Sequence, residues 1–288
     1  MPSFAVWALG GAVALMIVLM IVLMGAILAL RGRIRIEKGW AGWTLRRFSR
    51  RERACHWLLA LTCIALALTG PAYGRLRLPL FAGDTLSEIA SWAQWLHERV
   101  AFAFTAALGW AFLLWVRHSL PSWRDIVWLA KGGGLLMPGV HPPAWKFNSA
   151  QKLLFWLVML AGVLLSLSGF AMLSSNATGS VATALALLNA LGAWFGLAPV
   201  LPTRPSPQQA LEYATLCHGA AALGLLGAVI VHIGLRTLLI EGALSAMTRG
   251  EVDANWARQH HSLWAEREIA QIEAAIDPSE VATKSRRA

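Results

Sequence analysis

Four histidines carry the chemistry that this sequence can do. His218 and His232 stand fourteen residues apart in one apolar segment, and His56 and His97 lie near the ends of two others. Fourteen residues is about four helical turns, so the first two imidazoles share a helix face about 21 Å apart along the axis. A hydrocarbon core is about 30 Å thick, so this spacing sets one imidazole toward each side of a membrane. With His56 and His97 at matching depths, the chain offers two bis-histidine sites stacked across a bilayer. Such an arrangement carries electrons. Ionisable groups inside a membrane are costly and usually functional, and neutral imidazole is a suitable axial ligand for haem iron. The other four histidines (His118, His141, His260 and His261) have no partners at metal-ligand spacing and read as solvated or interfacial.

The elements that must position these residues are membrane helices. The 288 residues are 57% hydrophobic and only 14% charged, with a mean hydropathy of +0.55, which excludes an ordinary soluble globule. The net charge of +10 does not point to nucleic acid, because the basic residues flank apolar runs and form no aromatic-interleaved patch. Lipid is the partner they fit. The three cysteines, Cys55, Cys63 and Cys217, lack CxxC spacing and the CxxCH pattern, so any haem is held non-covalently.

Five spans follow from hydropathy: Phe4–Leu30, Cys55–Ala72, Gln94–Val116, Lys152–Leu173 and Leu211–Ile240. The first has no basic leading region and is too long for a signal peptide, so it reads as an uncleaved helix. A further apolar stretch, Val181–Leu201, contains Asn189, Gly192, Gly196 and Pro199 and reads as a helix at the outer surface. Basic residues crowd the linker Arg31–Arg53, the linker Arg117–Lys152 and the tail after the fifth span, whereas Tyr73–Trp92 holds only Arg75 and Arg77. The amino terminus is therefore expected outside, with both basic linkers and the tail in the cytoplasm. That orientation pairs His97 with His218 at the outer depth and His56 with His232 at the inner one. The expected division is 1–30 as an extra transmembrane helix, 31–54 as a basic cytoplasmic linker, 55–240 as the core and 241–288 as a cytoplasmic tail.

The string Arg51-Glu52-Arg53-Ala54-Cys55-His56-Trp57, with the apolar run to Thr69-Gly70, resembles the first haem-bearing helix of a known family. Lys146-Phe147-Asn148-Ser149-Ala150-Gln151-Lys152 before Phe155-Trp156, the His218–His232 spacing, and Trp256-Ala257-Arg258-Gln259-His260-His261-Ser262-Leu263-Trp264 extend the match over about residues 45 to 268. The family is the gamma (cytochrome b) subunit of membrane-bound formate dehydrogenases. The resemblance implies an all-α membrane protein, with a four-helix transmembrane cytochrome b bundle plus one extra N-terminal transmembrane helix. It implies two b haems, one on His97 and His218 and one on His56 and His232, in a bacterial inner membrane. It further implies electrons from a periplasmic iron-sulfur beta subunit, formate oxidation on a molybdenum- or tungsten-pterin alpha subunit, and a quinone acceptor near Asn148, Gln151 and Lys152.

A quinone carbonyl gaining charge needs a donor and protons from the nearby aqueous side. Equally, Asn148 can cap the fourth span and Lys152 can anchor it. Three departures from the family stand out: the added first span, the enlarged Val181–Leu201 connection, and Ala150 where a glycine is usual. The nearest rival is the cytochrome b subunit of a nickel-iron hydrogenase or another periplasmic oxidoreductase. A rival of another class is a transporter or scaffold whose histidines bind metal or relay protons; against it, no acidic residue interrupts the middle of a span.

Overall fold

A computed structural model describes residues 4–73, 84–134, 139–174 and 176–276, with backbone alone at 4–10, 12–14, 17, 71–73, 84–87 and 276. The connection bearing Arg75 and Arg77 and the tail beyond residue 276 lie outside the described residues. In chain order the elements are α1 (Phe4–Arg31), β1 (Thr44–Arg46), α2 (Arg50–Tyr73), α3 (Asp84–Trp115), α4 (Trp123–Ala130), α5 (Ser149–Leu173) and α6 (Ala177–Trp194). They continue with α7 (Pro207–Gly234), α8 (Ser245–Thr248), β2 (Glu251–Asp253), α9 (Ala254–His260) and α10 (Ser262–Ile276).

Helix starts are written into the sequence as reciprocal caps. Glu52 Oε2 accepts from Ser49 N at 2.8 Å while Ser49 Oγ accepts from Glu52 N at 3.3 Å. Gln151 and Asn148 exchange the same bonds at 3.1 and 3.0 Å, and Gln209 and Ser206 at 2.9 and 3.3 Å. Each box satisfies two donors that the first turn of a helix leaves orphaned. These boxes fix where α2, α5 and α7 begin, and hence the register of every histidine that follows on α2 and α7.

Five described helices are long and apolar enough to cross a membrane: Arg50–Gly70, Glu88–His118, Ser149–Leu173, Ala177–Trp194 and Pro207–Leu239. Leu113 is 77% exposed and Leu160 64%, so large apolar side chains face outward, as they do where lipid is the solvent. The chain is thus a multi-pass, all-α membrane protein with an additional first helix. The stretch expected as a helix at the outer surface is helical. Its helix, α6, starts at Ala177 and is itself long and apolar enough to span. Its buried side chains, Val181 and Leu185, pack on Ala171 in the last turn of α5 and on Ala210 and Ala214 near the start of α7.

The chain forms two compact units, each described within its own bounds. One is built from Met1–Ile17, Thr62–Leu108 and Leu157–Ala228, the other from Val18–Leu61, Gly109–Trp156 and Val229–Ala288. In the first, Met16 of α1 lies so close to Gly227 that an added Cβ would stand 3.2 Å from its sulfur. In the second, a Cβ on Gly234 would come within 2.8 Å of Met24 Cε. Small residues on α7 therefore admit α1 at close range.

The basic linker and the tail form a single packed layer in the second unit. β1 and β2 pair antiparallel, Leu45 opposite Val252, and Ile34 bridges Ile240. Leu45, Val252 and Trp256 are almost fully buried there. Asp253 caps α9 through Asn255 N and Trp256 N and also accepts from Ala41 N at 2.8 Å. His261, expected to be solvated, is only 1% exposed. Its Nδ1 lies 2.8 Å from Trp145 O, and its Nε2 lies 2.9 Å from Arg47 Nη2.

Candidate functional site

Two pairs of imidazoles come together, one in each unit. In the first unit His97 of α3 and His218 of α7 stand with ring centroids 6.4 Å apart and planes inclined at 56°. Each ring is held by a hydroxyl. Thr69 Oγ1 lies 2.8 Å from Ala65 O and 2.9 Å from His97 Nδ1. Ser168 Oγ lies 2.6 Å from Leu164 O and 3.0 Å from His218 Nδ1. A carbonyl only accepts, so each hydroxyl gives its proton to the backbone and accepts from the imidazole Nδ1–H. That selects the tautomer in which Nε2 carries the lone pair, the orientation expected of a metal-ligating histidine. Glycine follows each hydroxyl: a Cβ on Gly70 would lie 3.4 Å from His97 Cε1, and one on Gly169 would lie 3.4 Å from His218 Cε1. Thr105 Oγ1 to Ser166 Oγ at 2.9 Å and the stacked Phe102 and Phe170 rings join α3 to α5.

In the second unit His56 of α2 and His232 of α7 stand with centroids 6.3 Å apart and planes at 51°. Among the described residues no hydroxyl hydrogen-bonds to either ring. His56 Nδ1 is buried without a hydrogen-bond partner among the described residues, and the Trp57 indole packs edge-on at 5.3 Å. Immediately after His232 the helix widens into a π turn, Leu235–Leu239. Such turns interrupt the α ladder and recur at functional sites.

The residues expected near a quinone lie in the second unit too. Asn148 and Gln151 close the α5 cap described above, so the capping role holds. Lys152 Nζ reaches Asp125 at 2.9 Å and Leu120 O at 3.0 Å. Burial raises the Asp125 carboxyl, but hydrogen bonds from Lys152, Ser122 and Ser149 outweigh it and leave the group below the usual range. A cavity of about 920 Å³ opens beside them, lined by Arg47, Glu52, His118, Lys146, Phe147 and Lys152 among others. Asn148 lines an adjoining recess that Lys152 shares. Lys146 pairs with Glu52 at 2.6 Å, and Arg47 donates to Lys146 O at 2.6 Å. Burial first, then the charge of Arg236, pushes the Arg47 guanidinium down to about 9, with Glu52 opposing.

Reading the sequence for histidines alone misses Thr69, Ser168, Gly70 and Gly169. Their signal is a repeat: Leu68-Thr69-Gly70 in α2 and Leu167-Ser168-Gly169 in α5. It also misses Arg47 and Arg236, whose charge has no special spacing along the chain.

Membrane-length helices that bring histidines together in two pairs fit a membrane cytochrome b. Residues 47–250 match the prokaryotic cytochrome b561 family, and the chain belongs to that family, which implies haem b. Among curated relatives, the cytochrome b556(Fdn) subunit of the nitrate-inducible formate dehydrogenase of Escherichia coli K12 is 27% identical over 240 residues, 80% of this chain and 93% of that one. The cytochrome b556(fdo) subunit of formate dehydrogenase from the same strain is 25% identical, covering 77% of this chain and 92% of its own length. The cytochrome b556 subunit of Haemophilus influenzae formate dehydrogenase is 29% identical, covering 75% and 80%. The expected resemblance to formate dehydrogenase cytochrome b subunits is thereby borne out.

Proposed function

We propose that this chain is the cytochrome b subunit of a membrane-bound formate dehydrogenase, conducting electrons from an iron-sulfur partner outside the bacterial inner membrane to a quinone near its cytoplasmic face. The observation that carries it is the ring separation, 6.4 Å at His97–His218 and 6.3 Å at His56–His232. Two metal–imidazole bonds of about 2 Å, plus the step from each nitrogen to its ring centre, come to roughly the same span. Each pair would thus be able to hold one haem iron between its imidazoles. Among the described residues no cluster of three or more His, Cys, Asp or Glu could hold a bare ion, so a macrocycle filling the remaining positions suits the donor set. When bound, haem b supplies a one-electron iron couple at each pair.

The protein residues do the rest. Thr69 and Ser168 orient the His97 and His218 rings; Gly70 and Gly169 leave clearance beside them. Near the 920 Å³ cavity, Lys152 and the Asn148 amide would donate to a quinone carbonyl, with Gln151 holding Asn148 through the cap. Lys146 and Glu52 stand where protons enter from the aqueous side. We read α6 as lying across helix ends, because its buried contacts involve only the last turn of α5 and the first turns of α7. This keeps the amino terminus periplasmic and the packed linker–tail layer cytoplasmic, with 55–240 as the haem-bearing core.

A redox-difference spectrum and haem assay on the complex isolated with its partners tests this reading. Two b haems per chain, with iron-sulfur and molybdenum- or tungsten-pterin subunits co-purifying, are expected. A nickel-iron partner would reassign the donor, and a folded, haem-free chain would end the proposal.

A further inference from the structure

Six buried side-chain nitrogens or oxygens lack a hydrogen-bond partner among the described residues: Arg47 Nη1, Arg53 Nε, His56 Nδ1, Ser119 Oγ, Trp256 Nε1 and His260 Nε2. All six belong to the unit that holds His56 and His232. The arginine and tryptophan nitrogens can only donate. Buried donors without acceptors, gathered on one side of a protein, mark a missing acceptor. The groups interlock: Arg47 lies over Trp256 at 5.5 Å, and the Trp256 and His260 rings are 4.9 Å apart.

Arg236 is the charge common to this cluster. It stands four residues past His232, inside the π turn, and it acts electrostatically on His56, His232, Arg47, His260 and His261. No ion pair of Arg236 occurs among the described residues. Four acids of the unit are engaged by other groups. Glu52 holds Lys146, Glu37 holds His141, Asp125 holds Lys152, and Glu241 accepts from Ile36 N. A cation drawn out of water without an anion is costly, and haem b brings two carboxylates.

We propose that Arg236 is the counter-charge for a haem carboxylate at the His56–His232 pair, and that it raises the reduction potential of that site. The inference rests on these two histidines being haem ligands. Reduction adds an electron, and a fixed cation in a low-dielectric interior favours the state with more negative charge. Taking Arg236 away leaves a buried carboxylate uncompensated, which opposes reduction.

Optical redox titration of the complex in membranes tests it. The His56–His232 component is first identified as the one lost in His232→Ala, and the other as the one lost in His97→Ala. In Arg236→Gln both haems remain, and the first midpoint falls by a tenfold or greater change in equilibrium constant, 59 mV for a one-electron couple. The second midpoint stays, and Arg236→Lys restores the first. An unmoved first midpoint, or both midpoints moving alike, overturns the inference. Should Arg236→Gln lose the haem, retention at the wild-type midpoint in Arg236→Lys supports a need for charge, and loss there refutes it. His232→Ala keeping both haems would sink the ligand assignment itself, and the inference with it.

Discussion

Around His97 and His218 each ring is fixed by a neighbouring hydroxyl and flanked by a glycine. Around His56 and His232 the ring separation is nearly the same, 6.3 against 6.4 Å, but no hydroxyl among the described residues braces the rings. The Arg236 cation acts on both rings instead, and the unit that holds them carries the unpartnered donors. One site is defined by orientation and the other by charge. A ligand pair sets where a cofactor sits, whereas its surroundings set what that cofactor does. A haem braced through Nδ1–H has its ligand basicity raised; a haem among cations is easier to reduce.

Removing one ligand from each pair should have the largest effect. His218→Ala and His232→Ala are each expected to halve the haem content, with a different spectral component lost in each. Pyridine haemochrome assay and difference spectra would read this out. If one substitution removed both haems, the two sites would not be independent and the contrast between them would lose its meaning. Next in size is Gly169→Val. A Cβ there already stands 3.4 Å from His218 Cε1, and two further methyl groups on a rigid β-branched side chain have nowhere to go without turning the ring. Loss of the His97–His218 haem is expected, with the other retained. Retention of both would show that the glycine clearance is incidental.

Thr69→Val sharpens the comparison more gently. It keeps the shape and removes the side-chain oxygen that accepts from His97 Nδ1–H, leaving the backbone bond at Leu66. Losing an outer-shell partner typically weakens metal retention by roughly 10- to 100-fold, so the His97–His218 haem should dissociate faster on dilution or detergent challenge. Its midpoint should also rise, because a less basic imidazole stabilises the oxidised iron less. No change is expected at His56–His232, where there is no such brace.

Much of this was legible in the sequence, for a physical reason. Hydropathy and charge asymmetry act over whole spans, so the helices, their order and the depth-matched pairing of His97 with His218 and of His56 with His232 could be read from composition along the chain. The capping role of Asn148 was legible too, because a cap is a local hydrogen bond between residues three apart. What could not be read depends on contacts between distant segments. Arg47 meets His261, 214 residues away, and β1 meets β2 across a similar interval, so a linker and a tail that look solvated become one buried layer. Arg236 is visible in the sequence as a charge inside the last span, but its role comes from what lies around it. The span-like length of α6 shows the opposite limit: hydropathy detects apolar helices but says nothing of what they pack against.

The smallest expected effect concerns that layer, and its sign follows from the titration of His260. Burial, then the charges of Arg236, His141 and Arg47, holds this imidazole down to about 3 from the ordinary 6.5. Between those values the unfolded chain binds a proton that the folded layer refuses, so the stability this group contributes is complete above pH 6.5 and drains away as pH falls toward 3. Buried His261, lowered first by burial and then by Arg47, acts in the same direction. Amide hydrogen exchange across residues 31–54 and 241–268 should therefore show protection falling between pH 7.5 and 5, by at most about tenfold per pH unit for each proton involved. Amides of the Ser149–Leu173 helix should not follow. His260→Phe should flatten the dependence, because an uncharged ring has no proton to take up. An unchanged slope in that variant would mean that the layer opens through other groups, and that the cationic surroundings of His56 and His232 are more open to water than the burial of His261 implies.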